Sequence, residues 1–448
     1  MGSKWKQTTL GDLALGFDGA VDGPFGSNLP ASAYTESGYP IIRGSNLSIG
    51  LDDFKDSDFV FVPEHIFKKL SRSECRAGDI IFTKKGTLGQ TGIISTTHRF
   101  EKYLLSSNQM RLRVDPDKAL PEYVYYYVSS QQAINKLIQD SECTGVPKIN
   151  LAYLKSFPIS LPSLIEQKDI INILGSFNRK ITLNRQINRT LEQMSQTLFK
   201  SWFVDFDPVI DNALDAGNSI PEALQSRAEL RQKVRNSADF KPLPADIRTL
   251  FPAEFEETEL GWVPKGWVTN RLENILELAY GKALKKTERT NGDYPVYGSG
   301  GVDGTHNEYL VKGPGIIVGR KGTVGSLHWE NKNFYPIDTV FFVKPKEYYS
   351  LVYCYQLLKT LGLENMNTDA AVPGLNRNNA YRLEVVTPTQ SIITKFTNII
   401  QTIQHKMDSN HNETENLTAL RDTLLPKLIS GELSLEDLPD LVTQTEPA

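Results

Sequence analysis

Cysteine is scarce: Cys75, Cys143 and Cys354 are the only three in 448 residues, far apart and without a C-x-x-C pair. A disulfide framework and a zinc knuckle are therefore excluded, and buried free thiols are expected. Long apolar runs are also missing. No stretch reaches 18 uncharged apolar residues, and the start, Met1-Gly2-Ser3-Lys4-Trp5-Lys6, lacks the apolar core of a signal peptide, so the expectation is a cytoplasmic chain with no membrane span. The six histidines, at 65, 98, 306, 328, 405 and 411, form no H-E-x-x-H or close pair. There is no G-x-x-x-x-G-K-[ST], and the glycine-rich stretch Gly298 to Gly304 contains no lysine, which suits a tight or flexible turn better than a phosphate cradle. Glu166-Gln167-Lys168 has the E-x-K spacing of some nucleases, but it stands at a helix start with no upstream carboxylate to pair with. No catalytic residue, metal site or bound cofactor is assigned.

An excess of either charge is absent too, with 49 basic and 53 acidic residues and a net charge of -4. The acid is concentrated in residues 207–260 and after 389, leaving the two large segments near neutral. That distribution permits a DNA-facing surface without requiring one. The length calls for several domains.

What the chain does have is one copy of itself. Trp5 to Leu13 (WKQTTLGDL) is similar to Trp267 to Ile275 (WVTNRLENI), and Tyr39-Pro40-Ile41 to Tyr294-Pro295-Val296, each followed by a Gly-Ser pair, Gly44-Ser45 and Gly298-Ser299. The strongest short match sets Ile80 to Gly89 (IIFTKKGTLG) against Ile316 to Gly325 (IIVGRKGTVG), and Val146-Pro147 with Asn150 then matches Val372-Pro373 with Asn376. Trp5 to Val146 is 141 residues and Trp267 to Val372 only 105, so the copies differ by 36 residues in their variable part. A repeat this long means duplicated domains, not a solenoid.

Beyond that point one offset of 226 carries Ile170, Leu174, Phe177, Ile181, Asn184, Leu191 and Leu198 onto Phe396, Ile400, Ile403, Met407, Asn410, Leu417 and Leu424. The alternating steps of four and three predict a long helix with a heptad seam in each copy. Leu164 to Phe203 would span about 60 Å at about 1.5 Å per residue. Pro162 opens the first helix and Pro388 the second, Pro426 should end or kink the second near Leu425, and Gly431 follows as a terminator. Asn184 and Asn188 in one seam, with Asn410 and Thr414 in the other, are amides and hydroxyls of the kind that fix register. The simplest scheme pairs the two helices antiparallel; the alternative packs each on its own globular half.

The globular halves mix short β-rich runs, such as Ile80 to Thr83, Ile316 to Val318 and Val340 to Val343, with a tyrosine-rich helix from Glu122 to Asp140, giving a mixed α+β class. Residues 207–260, with five prolines and an acidic run from Glu254 to Glu259, read as an irregular connector with one short helix near Pro221 to Arg235.

Each half carries a basic turn directly after an apolar strand: Lys84, Lys85, Thr87 and Gln90 around Gly86 and Gly89, and Arg320, Lys321, Thr323 and Ser326 around Gly322 and Gly325. Glycines let backbone N–H groups approach phosphate, cations add charge, and an arginine can pair with a guanine edge. A plain β-turn with solvated charges is the competing account. A second candidate surface is Arg43, Ser45 and Asn46 with Ser299 in the other copy, and Asn108-Gln109 is of similar type. A third is the Val-Pro loop, Lys148 and Asn150 in one copy and Arg377 and Asn378 in the other, which fits DNA or an asparagine-capped turn equally.

At this point three segments resemble the DNA-specificity (S) subunits of type I restriction-modification enzymes. Glu259-Leu260-Gly261-Trp262-Val263-Pro264-Lys265-Gly266-Trp267 resembles that family's start-of-domain signature. Leu198-Phe199-Lys200-Ser201-Trp202-Phe203-Val204-Asp205-Phe206-Asp207-Pro208 resembles the end of its central helix, and Leu424-Leu425-Pro426-Lys427-Leu428-Ile429-Ser430-Gly431-Glu432-Leu433 its C-terminal helix end. The first copy departs from the pattern in lacking Gly-Trp-x-Pro before Trp5. The resemblance implies two target-recognition domains at 1–160 and 261–388, spacer helices at 161–206 and 389–435, an acidic connector at 207–260 and an acidic tail at 436–448. It implies an internal pseudo-twofold repeat whose helices form an antiparallel coiled coil. It further implies a non-catalytic subunit that reads a bipartite, asymmetric double-stranded DNA site. Two methyltransferase subunits would dock on the helices and domain sides, and endonuclease-translocase subunits would join them; S-adenosylmethionine, magnesium and ATP belong to those partners. The competing classes are a protein-interaction scaffold spaced by a helical rod and an autonomous enzyme, whose signature would be a carboxylate pair inside one globular half.

Overall fold

The computed structural model describes residues 5–52, 54–141, 146–367 and 374–433. Cys143, Val372-Pro373 and the tail 436–448 lie outside the described residues. The chain divides into two compact units, residues 1–185 with 412–448, and residues 186–411.

In the first unit the central sheet is formed by β1 (Ala20–Asp22), β2 (Ser48–Ile49), β3 (Asp79–Thr83), β4 (Gln90–Ile93) and β5 (Gln109–Arg113), in the order β1-β5-β3-β4-β2. All four neighbouring pairs are antiparallel. β3 is buried along its whole length, as its unbroken apolar run requires when both faces are covered. One face carries the main core, where Ile80, Phe82, Met110 and Leu112 meet Tyr123 and Val124 of α1 (Pro121–Val128). The expected tyrosine-rich helix stops there. Ser130 instead caps a second helix, α2 (Gln131–Gln139), its hydroxyl accepting from the Ala133 N–H, because a serine pair favours caps over helix interiors. α3 (Leu151–Ser156) follows.

The long helix α4 (Leu164–Phe203) has the limits its heptads predict. It opens on a capping box: Glu166 accepts from the Ser163 N–H at 2.9 Å, and the Glu166 N–H reaches Ser163 Oγ at 3.3 Å. Those bonds hold the Glu166 carboxyl below its usual range and fix the first turn of α4.

In the second unit β6 (Leu276–Tyr280), β7 (Gly315–Gly319), β8 (Leu327–Glu330) and β9 (Val340–Pro345) form an antiparallel sheet in the order β6-β9-β7-β8, which repeats β1-β5-β3-β4 of the first. Gly298 to Gly304 is a hairpin, Tyr294–Gly298 pairing with Gly301–His306 across Ser299 and Gly300. Residues 207–260 are more ordered than their prolines suggest. Pro208 sits in the first turn of α5 (Asp207–Ala216), where its missing N–H costs nothing, and Gly217 closes that helix at φ +69°. Asp207, Asp211 and Asp215 pair rung by rung with Arg227, Arg231 and Arg235 of α6 (Gln225–Arg235). Two shorter helices of this unit are α7 (Leu351–Thr360) and α8 (Arg377–Tyr381).

The second long helix, α9 (Gln390–Ser430), runs through Pro426 without ending there. Leu425, Leu428 and Ile429 are all buried, so packing on both sides of the proline outweighs one lost backbone bond, and the helix ends at Gly431, φ +71°. Within each unit the long helices lie antiparallel. In the first, Asn178 bonds Arg421 (2.9 Å) and Asn184 bonds Glu413 (2.8 Å). In the second, Asn188 bonds Asn410 (2.8 Å) and the Phe203 ring lies 4.9 Å from Phe396. All fourteen seam positions, from Ile170 to Leu198 and from Phe396 to Leu424, are buried or half-buried.

Asp408, on the flank of that seam, accepts from the Trp329 indole N–H (3.2 Å) and from the Gln404 amide (2.9 Å). Burial pushes its carboxyl above the usual range, more than these bonds and the charges of His405 and His411 pull it down. A raised folded-state pKa favours the protonated form, so its contribution to stability is largest below the ordinary carboxylate pKa and is lost as pH rises through the raised value. Asp408→Asn is therefore expected to raise the urea midpoint at pH 7, with the gain shrinking as pH falls toward 4.5. A gain independent of pH, or a loss at pH 7, would contradict this account.

The thiols of Cys75 and Cys354 are buried and free, and burial pushes the latter up to about 12. Among the described residues no helix is long and apolar enough to cross a membrane.

Candidate nucleic-acid interface

In the first unit the basic turn and the Val-Pro loop come together at the end of β3. The Ile149 N–H donates to the Lys84 carbonyl (2.9 Å), the Gly86 N–H to the Pro147 carbonyl (3.2 Å), and Lys85 bridges Lys148. Gly86 and Gly89 take φ of +105° and +86°, and a side chain at Gly89 would strike Ile134 at 2.7 Å. The second unit repeats this construction. The Leu375 N–H donates to the Arg320 carbonyl (2.8 Å), Lys321 bridges Gly374, and Gly322 and Gly325 take φ of +86° and +70°. Even the inner turn bond recurs, Leu88 N–H to Gly86 and Val324 N–H to Gly322, both at 3.0 Å. Two segments more than fifty residues apart in sequence thus form one platform in each copy.

The side chains on these platforms divide by accessibility. Lys85, Thr87 and Lys148 are exposed in the first unit, and Lys321, Thr323 and Asn378 in the second. Others hold the framework. Ser299 Oγ accepts from the Thr323 N–H (3.3 Å), and Ser326 Oγ donates to the Ser299 carbonyl (2.6 Å). Asn150 caps α3 through the Tyr153 N–H (2.8 Å), the capping role that its sequence left open, and Asn376 caps α8 in the same way. Lys84 pairs with Asp22 at 3.0 Å.

The Arg43 turn packs beside the first platform, since a Cβ on Gly44 would lie 3.3 Å from Gln90 Oε1 and 3.7 Å from Gln109 Nε2. Ser45 is exposed and Arg43 half-buried. Asn46, however, is buried, its amide oxygen accepting from the Arg43 N–H (2.9 Å) and its amide nitrogen donating to the carbonyls of Lys55 (3.0 Å) and Ser57 (2.9 Å). It builds the turn and offers no free edge, which corrects the expectation of an available amide. Gln90 is likewise engaged, by the Thr83 hydroxyl and the Leu47 carbonyl, and Gln109 is buried against Ser106.

The sequence reading missed Tyr280. This residue ends β6, is 48% exposed, and carries a guanidinium on its ring from each of two platform segments: Arg320 at 4.9 Å and Arg377 at 4.7 Å. Its local sequence carries no signal of this arrangement, which depends on the strand paired beside it.

The model of the type I restriction modification DNA specificity domain matches residues 3–193 and 264–418, well over half of the chain. The chain belongs to that family. Each matched segment contains one copy of the platform. Over 96% of this chain and all of the relative, it is 26% identical to the type I restriction enzyme HindI specificity subunit of Haemophilus influenzae. It is 25% identical to the MjaIX specificity subunit of Methanocaldococcus jannaschii, over 84% of this chain and 82% of that one. The crystal structure of a type I restriction-modification system S subunit from M. genitalium has the same fold, with a TM-score of 0.52 at 19% identity, covering 95% of this chain and 96% of that one. This specificity subunit thus has two family domains, a mixed α/β fold and long helices paired antiparallel.

Proposed function

We propose that each platform reads one half of a bipartite, asymmetric double-stranded DNA target, and that the long helices set the distance between the half-sites. The observation that carries this reading is the duplicated platform: equivalent backbone bonds hold a shared lysine and threonine, Lys85 with Thr87 and Lys321 with Thr323, beside side chains that differ, Lys148 in one copy, Arg377 and Asn378 in the other. A shared framework with diverged tips suits one kind of ligand with two sequences. The readers span residues 1–160 and 261–388, the spacers 161–206 and 389–435.

The chain itself is non-catalytic and acts in the cytoplasm. Two methyltransferase subunits dock on the helices and domain sides, and endonuclease-translocase subunits join them; S-adenosylmethionine, magnesium and ATP are used by these partners. With a net charge of -4, phosphate contacts come from the local loops, so DNA binding by the chain alone is weak and strengthened by assembly.

The test is co-purification with a methyltransferase subunit, followed by methylation of random DNA and sequencing of modified adenines. The expected result is a split, asymmetric motif with a fixed unspecific spacer. A chain that recruits no methyltransferase and yields no motif would leave the protein scaffold as the better account.

A further inference from the structure

The two platforms differ at one lattice point of their sheets. In the first unit Asp22 of β1 is paired across to Met110, and Met110 to Phe82, two residues before Lys84. In the second, Tyr280 of β6 is paired to Phe341, and Phe341 to Val318, two residues before Arg320. Asp22 and Tyr280 therefore occupy the same place, and each meets the first cation of its own basic turn. The outcomes are opposite. Lys84 is neutralised by the Asp22 carboxylate at 3.0 Å, whereas Arg320 lies over the Tyr280 ring and also 5.7 Å from Phe341.

A second guanidinium joins only in the second unit. Arg377 lies 4.7 Å from the Tyr280 ring and 5.6 Å from that of Tyr381. The offset of 226 puts Leu151 at its place in the first copy. Arg320 Nη1 donates to the Asp338 carbonyl (3.1 Å), but the buried Nε of Arg377 has no hydrogen-bond partner, and among the described residues neither arginine makes an ion pair. A phenol ring beneath a guanidinium restrains the cation without consuming its N–H donors. A half-buried cation without a counter-charge is costly alone and favourable once an acceptor arrives.

We infer that Arg377, held in plane by Tyr280, reads a guanine in the half-site of the second unit, while Arg320 supplies charge to the neighbouring phosphate. A planar fork matches the O6 and N7 acceptors of guanine bidentately, and a lysine, a flexible point charge, has no plane for the Tyr280 ring to hold. The first unit, with Asp22 and Leu151 at these places, makes no equivalent contact. Tyr280 is a positioning residue. This inference rests on the DNA-reading role proposed above.

The experiment uses the full chain assembled with its methyltransferase subunit and compares methylation motifs for wild type, R377K, R377Q, Y280F and Y280L. Wild type is expected to require a guanine at one position of one half-site. R377K and R377Q should each lower discrimination at that position on the order of tenfold to a hundredfold, leaving the other half-site intact as an internal control for folding. Y280F, which keeps the ring, should retain the motif, and Y280L should relax the same position. A guanine requirement that survives both Arg377 variants would overturn the inference, as would a uniform loss across all positions, which marks a phosphate contact only. Absence of any motif with wild type would instead overturn the DNA-reading role itself.

Discussion

Phe396→Ala is expected to cost about 3–5 kcal/mol in the second unit, a large share of the usual stability of a domain. The side chain is fully buried, and its ring meets those of Phe199 (5.6 Å), Trp202 (5.8 Å), Phe203 (4.9 Å) and Tyr353 (6.2 Å). These rings come from the end of α4, the start of α9 and α7, so one phenyl group ties both long helices to α7. Truncation removes the transfer energy of the ring and leaves a cavity whose aromatic walls are fixed by one another and collapse poorly. Phe396→Leu, which keeps most of the volume, should cost less than half as much. Urea unfolding followed by near-ultraviolet circular dichroism measures both. A loss below about 1 kcal/mol for the alanine variant would show that the cluster repacks freely and does not anchor the helices. Methylation by the assembled complex should fall with the folded fraction, since a unit whose helices detach no longer presents its platform at a defined place.

The repeat and the heptad seam were legible because both are local patterns. Steps of three and four place Ile170, Leu174, Phe177 and Ile181 on one helix face whatever surrounds them, and the limits Leu164 and Phe203 followed from Pro162 and from the end of that pattern. The platforms were half legible. Glycines flanked by cations after an apolar strand marked the turn, and the offset of 226 marked its neighbour, but nothing local said that Ile149 bonds back to Lys84. The Tyr280 stack was not legible at all. It depends on strand register between segments far apart in the chain, and a one-residue slip would turn Tyr280 to the opposite face. Asn46 failed as a reading candidate for a related reason: its amide suits adenine, but burial and three backbone bonds consume it, and burial is a property of the fold. Prolines misled in both directions. Pro208 begins a helix because it falls in the first turn, and Pro426 sits inside one because Leu425 and Leu428 bury either side of it.

Replacing Asn188 and Asn410 together is expected to separate stability from register. Asn410 Nδ2 donates to Asn188 Oδ1 at 2.8 Å, and Asn188 Nδ2 donates to the Met407 carbonyl at 2.9 Å, in a seam otherwise filled by Leu191, Ile403 and Met407. Asn410→Leu alone leaves the Asn188 oxygen without its donor in a half-buried place and should cost about 1–3 kcal/mol. The double variant Asn188→Leu with Asn410→Leu removes both partners, gains apolar contact, and should be near wild type or more stable. The double-mutant cycle should therefore show favourable coupling between the two leucines at least as large as the two single losses together. Register is the quantity that suffers, because leucine packs against leucine at several offsets whereas an amide pair closes at one. If the helices set half-site spacing, the double variant should modify targets whose spacer differs by a base pair from the native one, at a rate that wild type does not approach. The singles, which keep one amide in the seam, should hold the native spacer while losing stability. Additive losses in the double variant would remove the coupling, and an unchanged spacer in a stable double variant would show that packing of the large side chains alone fixes the register.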